Sequence, residues 1–267
     1  MAARSWYLPL CAALFALGCR EAAGDERAPP RGPALPAASP SPATTASTPP
    51  PETPPPPPSA GATAPRCREQ GPQDFLLRKH QIAKIGASAA EQERIEEARR
   101  RAIAYRTREY GRFPGFGSRR DNPHPPQFYA KRTTFMGLPL VLNEKVVPAL
   151  GCVEAALRRD CAEHPYRPRT AGGLRSENTF KDYEVSNHVY GIALDIDSDL
   201  NPCCSCVGFW QNHPACREKV SSPFERMAMP RCWVEVFERY GFYWLGHDEL
   251  EDTMHFEFLG DPDHVLE

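Results

Sequence analysis

A proline-rich segment near the N-terminus limits where this chain can build a folded core. Residues 20–66 hold half of the chain's 30 prolines, and Ala, Ser, Thr and Gly make up most of the remainder. Such a composition cannot bury enough apolar surface to fold and is typical of an extended, semi-rigid spacer. We therefore expect a disordered tether over residues 19–66. Residues 67–267, about 200 in number, are enough for one folded domain with a single core.

The first residues have the pattern of an export signal. Arg4 precedes an apolar run over residues 6–17, which has the length of a signal-peptide core and is shorter than the about 20 residues of a membrane span. The sequence Ala16-Leu17-Gly18-Cys19 resembles a bacterial lipoprotein cleavage box, in which the cysteine becomes lipidated. We predict a signal peptide over residues 1–18 and lipidation of Cys19. The alternative is an ordinary secretory peptide that happens to contain a cysteine.

The charge balance and the apolar pattern restrict the partners. The formal net charge of −2 argues against nucleic acid or an anionic membrane surface as the main partner. No second apolar run approaches the length of a membrane span. We expect an exported lipoprotein of the cell envelope that faces the periplasm, contacts the membrane through its lipid anchor only, and is a monomer.

Eight cysteines lie in the predicted domain, at positions 67, 152, 161, 203, 204, 206, 216 and 232. An even number of cysteines in an exported protein favours disulfides, and spacing alone does not determine their pairing. Cys152 and Cys161 flank a predicted helix and are a candidate pair. The alternative for the cysteines of residues 203–216 is a structural zinc knot that includes His213, although this spacing fits no standard zinc finger.

Helical and strand patterns alternate irregularly along the predicted domain. Ser88-Ala89-Ala90-Glu91 is a capping box and predicts a helix that runs to about Tyr110. The other predicted elements are strands over residues 134–142, 188–197, 242–245 and 254–259, and helices over residues 143–159 and 231–240. Because regular βαβ alternation is missing from this pattern, we predict an α+β fold with a small antiparallel sheet and flanking helices.

Two segments carry residues suited to metal chemistry, Ser186-Asn-His188-Val-Tyr-Gly-Ile-Ala-Leu-Asp195 and Asp252-Thr-Met-His255-Phe-Glu257. A catalytic zinc site usually has three protein ligands and leaves its fourth position to water. His188, Asp195 and His255 supply three such ligands, and Asp252 is a spare carboxylate that can take a proton from the water. The pattern therefore predicts a metal-dependent hydrolase.

Both segments resemble those of the zinc D-alanyl-D-alanine carboxypeptidases and dipeptidases of the VanY and VanX type. They are closer still to the related phage L-alanyl-D-glutamate endopeptidases. The resemblance covers about residues 130–260, places the metal site within residues 170–260, and implies the fold of Hedgehog and D,D-peptidase domains. It implies a bound Zn²⁺ and assigns His188, Asp195 and His255 as its ligands, Asp252 as the catalytic base and Arg175 as the substrate-binding arginine.

Other side chains near the two segments carry open alternatives. Ser186 can hydrogen-bond the substrate or act as a simple turn residue, and Glu257 is a candidate partner of the ligand His255 on the same strand face. The family commonly has Gly and Trp after the penultimate strand, where this chain has Trp244-Leu-Gly-His247; His247 is therefore a surface residue or a substrate contact. The cysteine-rich insert at residues 203–216 is also unusual, and it follows the first metal segment directly.

The expected activity is zinc-dependent hydrolysis of amide bonds in peptidoglycan stem peptides, either as a D,D-carboxypeptidase or as an endopeptidase. The peptide substrate comes from the resemblance alone. One alternative is a non-catalytic zinc-containing lipoprotein that binds peptidoglycan or a partner, and another is a disulfide-rich structural lipoprotein without a metal. Asp252 argues against the binding protein, because a pure binder does not need a base at that position.

Overall fold

The main sheet has four antiparallel strands, all from the second half of the chain. The computed structural model describes residues 66–82, 86–180, 184–206 and 208–267, so the predicted signal peptide, Cys19 and the tether as far as residue 65 lie outside the described residues. The strand order is β3-β4-β6-β5. The strands are β3 (Ala171–Gly172), β4 (Ala193–Ile196), β5 (Phe242–Trp244) and β6 (His255–Phe258).

A separate two-stranded hairpin consists of β1 (Ala130–Phe135) and β2 (Leu138–Asn143). The sequence prediction of one strand over residues 134–142 is therefore wrong. The turn between the strands is formed by Met136 and Gly137, whose φ angles are 50° and 85°. Positive φ at both central residues is typical of the two-residue turns that join hairpin strands, so the chain reverses in the middle of the apolar run.

Among the described residues, four α-helices accompany the sheets, namely α1 (Ala89–Tyr110), α2 (Val147–Asp160), α3 (Pro214–Arg217) and α4 (Arg231–Arg239). Helix α1 begins as predicted, because the Ser88 hydroxyl accepts a hydrogen bond from the Glu91 backbone N–H at 3.3 Å. Helix α2 begins later than the predicted residue 143, because Asn143 still belongs to β2. Helix α4 ends as predicted ahead of Gly241, which has a φ angle of 85°.

Aromatic side chains from α4 and the sheet form the centre of the core. Phe237 of α4 stacks on Phe256 of β6 with ring centroids 4.1 Å apart, and it contacts Phe242 of β5 edge-on at 5.2 Å. Alternation along β6 then turns His255 and Glu257 to the opposite face of the sheet, where the two side chains contact each other. One face of β6 thus packs the core, and the other carries polar groups.

Four disulfides connect the eight domain cysteines as Cys67–Cys152, Cys161–Cys232, Cys203–Cys206 and Cys204–Cys216. The predicted pair Cys152–Cys161 is wrong. These two positions are nine residues apart along α2 and its end, a helical rise of about 13 Å, whereas bridged Cα atoms lie within about 7 Å. The alternative of a zinc knot is also wrong, because its cysteines are oxidised and the His213 Nε2 atom contacts the Asp199 carbonyl oxygen at 3.1 Å.

The described residues thus combine helices with small antiparallel sheets, which confirms the predicted α+β class. Within that part of the chain, none of the helices has the length and apolar character needed to cross a bilayer. The arrangement places β4 and β6 side by side at the centre of the main sheet, with their polar face free to build a site.

Candidate metal centre

Pairing between β4 and β6 brings two of the predicted ligands together. Asp195 and His255 are direct partners in the antiparallel register, which also pairs Ala193 with Glu257. Side chains of directly opposed residues lie on the same face of a sheet. Asp195 and His255, sixty positions apart in the sequence, are therefore neighbours because of the strand register.

His188 reaches the same place from a turn that precedes β4. The predicted strand over residues 188–197 is wrong at its start, because Asn187–Tyr190 is a 3₁₀ turn and the strand begins at Ala193. The Ser186 hydroxyl caps this turn by accepting a hydrogen bond from the His188 N–H at 3.3 Å. Gly191 then reverses the chain with a φ angle of 69°, and a Cβ at this position would lie 2.8 Å from the Asn143 nitrogen.

Three side-chain atoms converge on one point. The distances are 2.8 Å between His255 Nδ1 and Asp195 Oδ1, 3.1 Å between His188 Nε2 and His255 Nδ1, and 3.2 Å between His188 Nε2 and Asp195 Oδ1. A tetrahedral zinc ion with ligands at about 2.0–2.1 Å holds its ligand atoms about 3.3 Å apart. The three atoms therefore lie within about 0.5 Å of the spacing that zinc requires.

Hydrogen bonds on the far sides of both imidazoles fix which nitrogens face this point. The Nδ1 atom of His188 lies 2.7 Å from the Gly173 carbonyl oxygen, and the Nε2 atom of His255 lies 3.2 Å from a Glu257 carboxylate oxygen. Because both partners can only accept, each of these nitrogens carries a proton and donates. In the neutral imidazoles the facing nitrogens then offer lone pairs, next to a carboxylate oxygen, which is an arrangement suited to a cation.

Close backbone packing supports the His188 contact. A Cβ at Gly173 would lie 2.3 Å from the Val141 carbonyl oxygen of β2. Any other residue there would push the Gly173 carbonyl away from its place beside the imidazole. The glycine in this loop is therefore needed for the orientation of His188, a requirement that the sequence pattern does not reveal.

The pKa directions agree with a strongly polar, buried cluster. Burial favours the neutral form of Asp195, yet His188 and His255 outweigh burial and hold the Asp195 pKa well below its usual range. Burial also opposes charge on His255, but hydrogen bonds to Asp195 and Glu257 raise its pKa well above the ordinary value. For His188, burial is the largest influence and lowers the pKa. In the metal-free protein His255 is thus the imidazole that carries a second proton and a positive charge, whereas His188 is neutral.

Asp252 lies beside this cluster, in the segment that leads into β6. It forms an isolated antiparallel bridge with Cys203. Its Oδ1 atom is buried and has no hydrogen-bond partner among the described residues. Burial raises the pKa of Asp252 to about 7, with a further increase from the nearby charge of Asp195. A carboxyl with this pKa can both accept and release a proton near neutral pH.

The predicted substrate-binding residue, Arg175, also lines the site. Its backbone N–H donates to the His188 carbonyl oxygen at 3.1 Å, and its guanidinium forms an ion pair with the second carboxylate oxygen of Asp195. A second arginine, Arg78, lines the same cavity and is held by Glu184 and Asp248 at 2.5 and 2.8 Å. Arg78 was not predicted, because its segment carries no recognisable motif and lies far from the site in sequence.

These groups open into a cavity of about 610 Å³. One part of the cavity wall is formed by the three predicted metal ligands, together with Asp252, Arg175 and Ser186. The cysteine-rich insert supplies another part through Cys203, Ser205, Cys206 and Trp210. The insert, which follows the first metal segment directly in the sequence, is therefore a wall of the candidate site.

His247 lies on the surface rather than in this wall. Its side chain is 44% exposed, forms an ion pair with Glu238 at 3.1 Å, and contacts the Trp244 ring edge-on at 5.0 Å. Of the two interpretations that the sequence left open, the surface residue fits these contacts. The Ser186 hydroxyl, in turn, contacts the backbone of the His188 turn, as a turn residue does.

Comparison with known proteins gives one family match, and it spans most of the candidate site. Residues 181–258 match the model of a family described as D-alanyl-D-alanine carboxypeptidase, which confirms the family resemblance carried by the two motifs. The matched stretch covers less than half of the chain; it includes His188, Asp195, Asp252 and His255, and excludes Arg175. Comparisons with curated proteins and with solved structures gave no match.

Proposed function

We propose that this chain is a zinc-dependent peptidase that hydrolyses amide bonds in peptidoglycan stem peptides. The observation that carries the proposal is the convergence of His188, Asp195 and His255 beside Asp252, whose buried Oδ1 atom has no hydrogen-bond partner among the described residues. The family match over residues 181–258 supports a peptidase. The Hedgehog and D,D-peptidase fold, the lipid anchor at Cys19 and the tether that lets the domain reach the cell wall belong to the same proposal.

In this proposal His188 Nε2, Asp195 Oδ1 and His255 Nδ1 hold the zinc ion. When bound, zinc supplies a Lewis acid that lowers the pKa of water toward about 7 and polarises the scissile carbonyl. Gly173 and Glu257 keep the two imidazoles in the tautomers that present these nitrogens. Because both imidazoles are already oriented by their neighbours, little reorganisation is needed when the ion enters.

Asp252 carries out the proton transfers in the proposed reaction. Its carboxylate accepts a proton from the attacking water and then donates it to the leaving amine, so that the amine departs neutral. Burial raises the pKa of Asp252 to about 7 in the metal-free protein, a value suited to both steps. Its position next to the cluster, inside the cavity wall, gives it access to the reacting atoms.

Arg175 binds an anionic group of the substrate. Its side chain lines the cavity and is 41% exposed although it also pairs with Asp195. Part of its guanidinium therefore remains available to donate hydrogen bonds to a carboxylate or to a developing oxyanion. A terminal carboxylate is the group that a carboxypeptidase must recognise. A D,D-carboxypeptidase and an endopeptidase that opens an internal stem-peptide bond differ in whether this group is required.

Mass-spectrometric product analysis tests the proposal. The zinc-loaded full chain is incubated with peptidoglycan fragments, in parallel with Asp252→Asn, which keeps the shape of the side chain but cannot act as a base. We expect loss of one alanine or separation of the stem peptide with the parent chain. The variant should turn over about 10²–10⁴-fold more slowly and still hold one zinc ion.

Three results would contradict this assignment. Loss of zinc together with activity in Asp252→Asn would make Asp252 a structural residue. A parent chain that holds one zinc ion and cleaves none of the fragments would favour the non-catalytic binding protein. If the chain binds no zinc, the remaining interpretation is a disulfide-rich structural lipoprotein without a metal.

A further inference from the structure

The segment that carries Asp252 depends on the cysteine-rich insert for its position. Asp252 lies between the 3₁₀ turn Leu245–His247 and β6, outside any regular strand. The insert pairs with it along the backbone: the Ser205 N–H donates to the Leu250 carbonyl at 3.0 Å, and the Cys204 N–H to the Glu251 carbonyl at 3.4 Å. The Asp252 segment therefore has the insert as its strand partner.

Contacts continue on the other side of Asp252. The Thr253 hydroxyl and backbone N–H both donate to the Pro202 carbonyl oxygen, at 2.9 and 3.3 Å, and Cys203 is bridged to Asp252 itself. The Trp244 indole N–H donates to the Thr253 carbonyl oxygen at 2.9 Å. The residues before and after Asp252 are thus held by main-chain groups of residues 202–205.

The Cys203–Cys206 disulfide covers the Asp252 side chain. Both sulfurs lie within 4.8 Å of a carboxylate oxygen of Asp252, and both cysteines line the cavity. A disulfide has no proton to donate to the carboxylate. It therefore fills the space next to the carboxylate with a weakly polar group, which leaves the Oδ1 atom buried and without a partner among the described residues.

We propose that Cys203 and Cys206 are positioning residues for Asp252, and that their disulfide keeps this carboxylate dry and directed at the reaction centre. The inference rests on the proposed function, in which Asp252 is the base. Opening the disulfide releases the short loop of residues 203–206, which carries the backbone partners of Leu250 and Glu251. Water then reaches the carboxylate, and its geometry relative to His188, Asp195 and His255 is lost, while those three residues stay on the sheet and its preceding turn.

The test compares two paired substitutions in the full, zinc-loaded chain. Cys203→Ser/Cys206→Ser removes the disulfide next to Asp252. Cys204→Ser/Cys216→Ser is the matched control, because it removes the other disulfide of the same insert but keeps the Cys203–Cys206 disulfide and the backbone N–H of residue 204 that donates to the Glu251 carbonyl. Both disulfides close short loops of the chain and therefore contribute less to stability than long-range disulfides do. Both variants are expected to fold, and a thermal melt checks this.

We expect kcat of the first variant to fall on the order of 100-fold, the loss typical of a misplaced catalytic group, with KM and zinc content close to those of the parent. The control should keep a kcat near that of the parent. A merely structural role for the disulfide would instead lower kcat equally in both variants or release zinc. Parent-like kcat in Cys203→Ser/Cys206→Ser would overturn the inference.

Amide hydrogen exchange of the peptide that spans residues 248–254 provides a measurement independent of activity. Faster exchange there in Cys203→Ser/Cys206→Ser than in the control supports the positioning role, and equal exchange in both overturns it. If the parent chain cleaves no peptide, the proposed function fails, and the exchange result still decides whether this disulfide positions the Asp252 segment.

Discussion

The two halves of the candidate site are built by different means. Asp195 and His255 are placed by the register of β4 and β6 above an aromatic core, and His188 by a capped turn that enters β4. Asp252, by contrast, is placed by an irregular segment whose partners are the main chain of an insert with two disulfides of its own. The proposed metal ligands thus depend on the fold of the sheet, and the proposed base depends on the insert.

This difference predicts which properties can be changed separately. A sheet-borne cluster should bind its metal as long as the core is intact, whatever happens to the insert. The base should be sensitive to changes in the insert that leave metal binding and global stability nearly unchanged. Metal content, turnover and the free energy of unfolding are therefore three separate measurements that distinguish the sheet side of the site from the insert side.

The largest effect is expected on the sheet side, from His188→Ala. The substitution removes one of three convergent donors and leaves the Asp195 carboxylate without this partner, so zinc binding and turnover should both be lost. Loss of a residue that only supports a ligand typically costs 10–100-fold in affinity, and loss of the proposed ligand should exceed that. Equilibrium dialysis with zinc and the peptide assay measure the two losses.

His247→Ala is the control for His188→Ala, because it removes an imidazole that pairs with Glu238 on the surface. It should keep both zinc and turnover. A His188→Ala chain that retains a full equivalent of zinc would show that the sheet-borne cluster is not the metal site, and would remove one side of the comparison.

Sequence patterns predicted the sheet side of the site better than the insert side. The spacing from His188 to Asp195 and the alternation along β6 are local, and they survive in the structure as a turn, a strand and its partner. The contribution of Gly173 could not be predicted, since it depends on the approach of β2, a strand distant in the sequence. Arg78 likewise becomes part of the cavity only through tertiary packing.

Errors in the predicted elements have equally specific causes. The β1–β2 hairpin was missed because Met136 adopts a positive φ angle, which is unusual for a residue with a side chain. Gly137 next to it was the only residue of the turn whose type favours such an angle. The pairing of Cys152 with Cys67 follows from where the N-terminal end of the domain lies against α2, and no cysteine spacing contains that information. Residue patterns in the sequence predict which side chains share a face of one helix or strand. Contacts between elements that are distant in the sequence can be read only from the folded structure.

The sheet and the insert should also differ in how much their aromatic side chains contribute to the free energy of unfolding. Phe256→Ala on β6 removes a fully buried ring that stacks on Phe237, and should cost about 3–5 kcal/mol of unfolding free energy. Phe209→Ala removes a ring of the insert that is 80% exposed and should change the same quantity by less than about 0.5 kcal/mol. Urea unfolding of both variants measures this contrast; equal losses would mean that the insert is part of the core.

The smallest effect is a pH dependence of zinc affinity to which His255 on the sheet side contributes one displaced proton. In the metal-free protein, hydrogen bonds to Asp195 and Glu257 raise the pKa of His255 although burial opposes its charge, so His255 is protonated at neutral pH. Burial keeps His188 neutral there by lowering its pKa, and the lowered pKa of Asp195 keeps that carboxyl ionised. Zinc must therefore displace one proton, from His255.

The sign of this pH dependence follows from that displacement. Below the raised His255 pKa, affinity should increase about tenfold for each unit of rising pH, as expected when one proton is released per ion bound. Glu257→Gln removes one of the charges that raise the pKa of His255, so the proton should compete less with zinc and the affinity should level off at a lower pH. Chelator competition across the neutral range measures both slopes. Asp252 on the insert side also titrates in this range, because burial raises its pKa to about 7. Asp252→Asn removes that titration and should retain the slope set by His255; a lost slope would mean that the insert and the sheet share control of the metal.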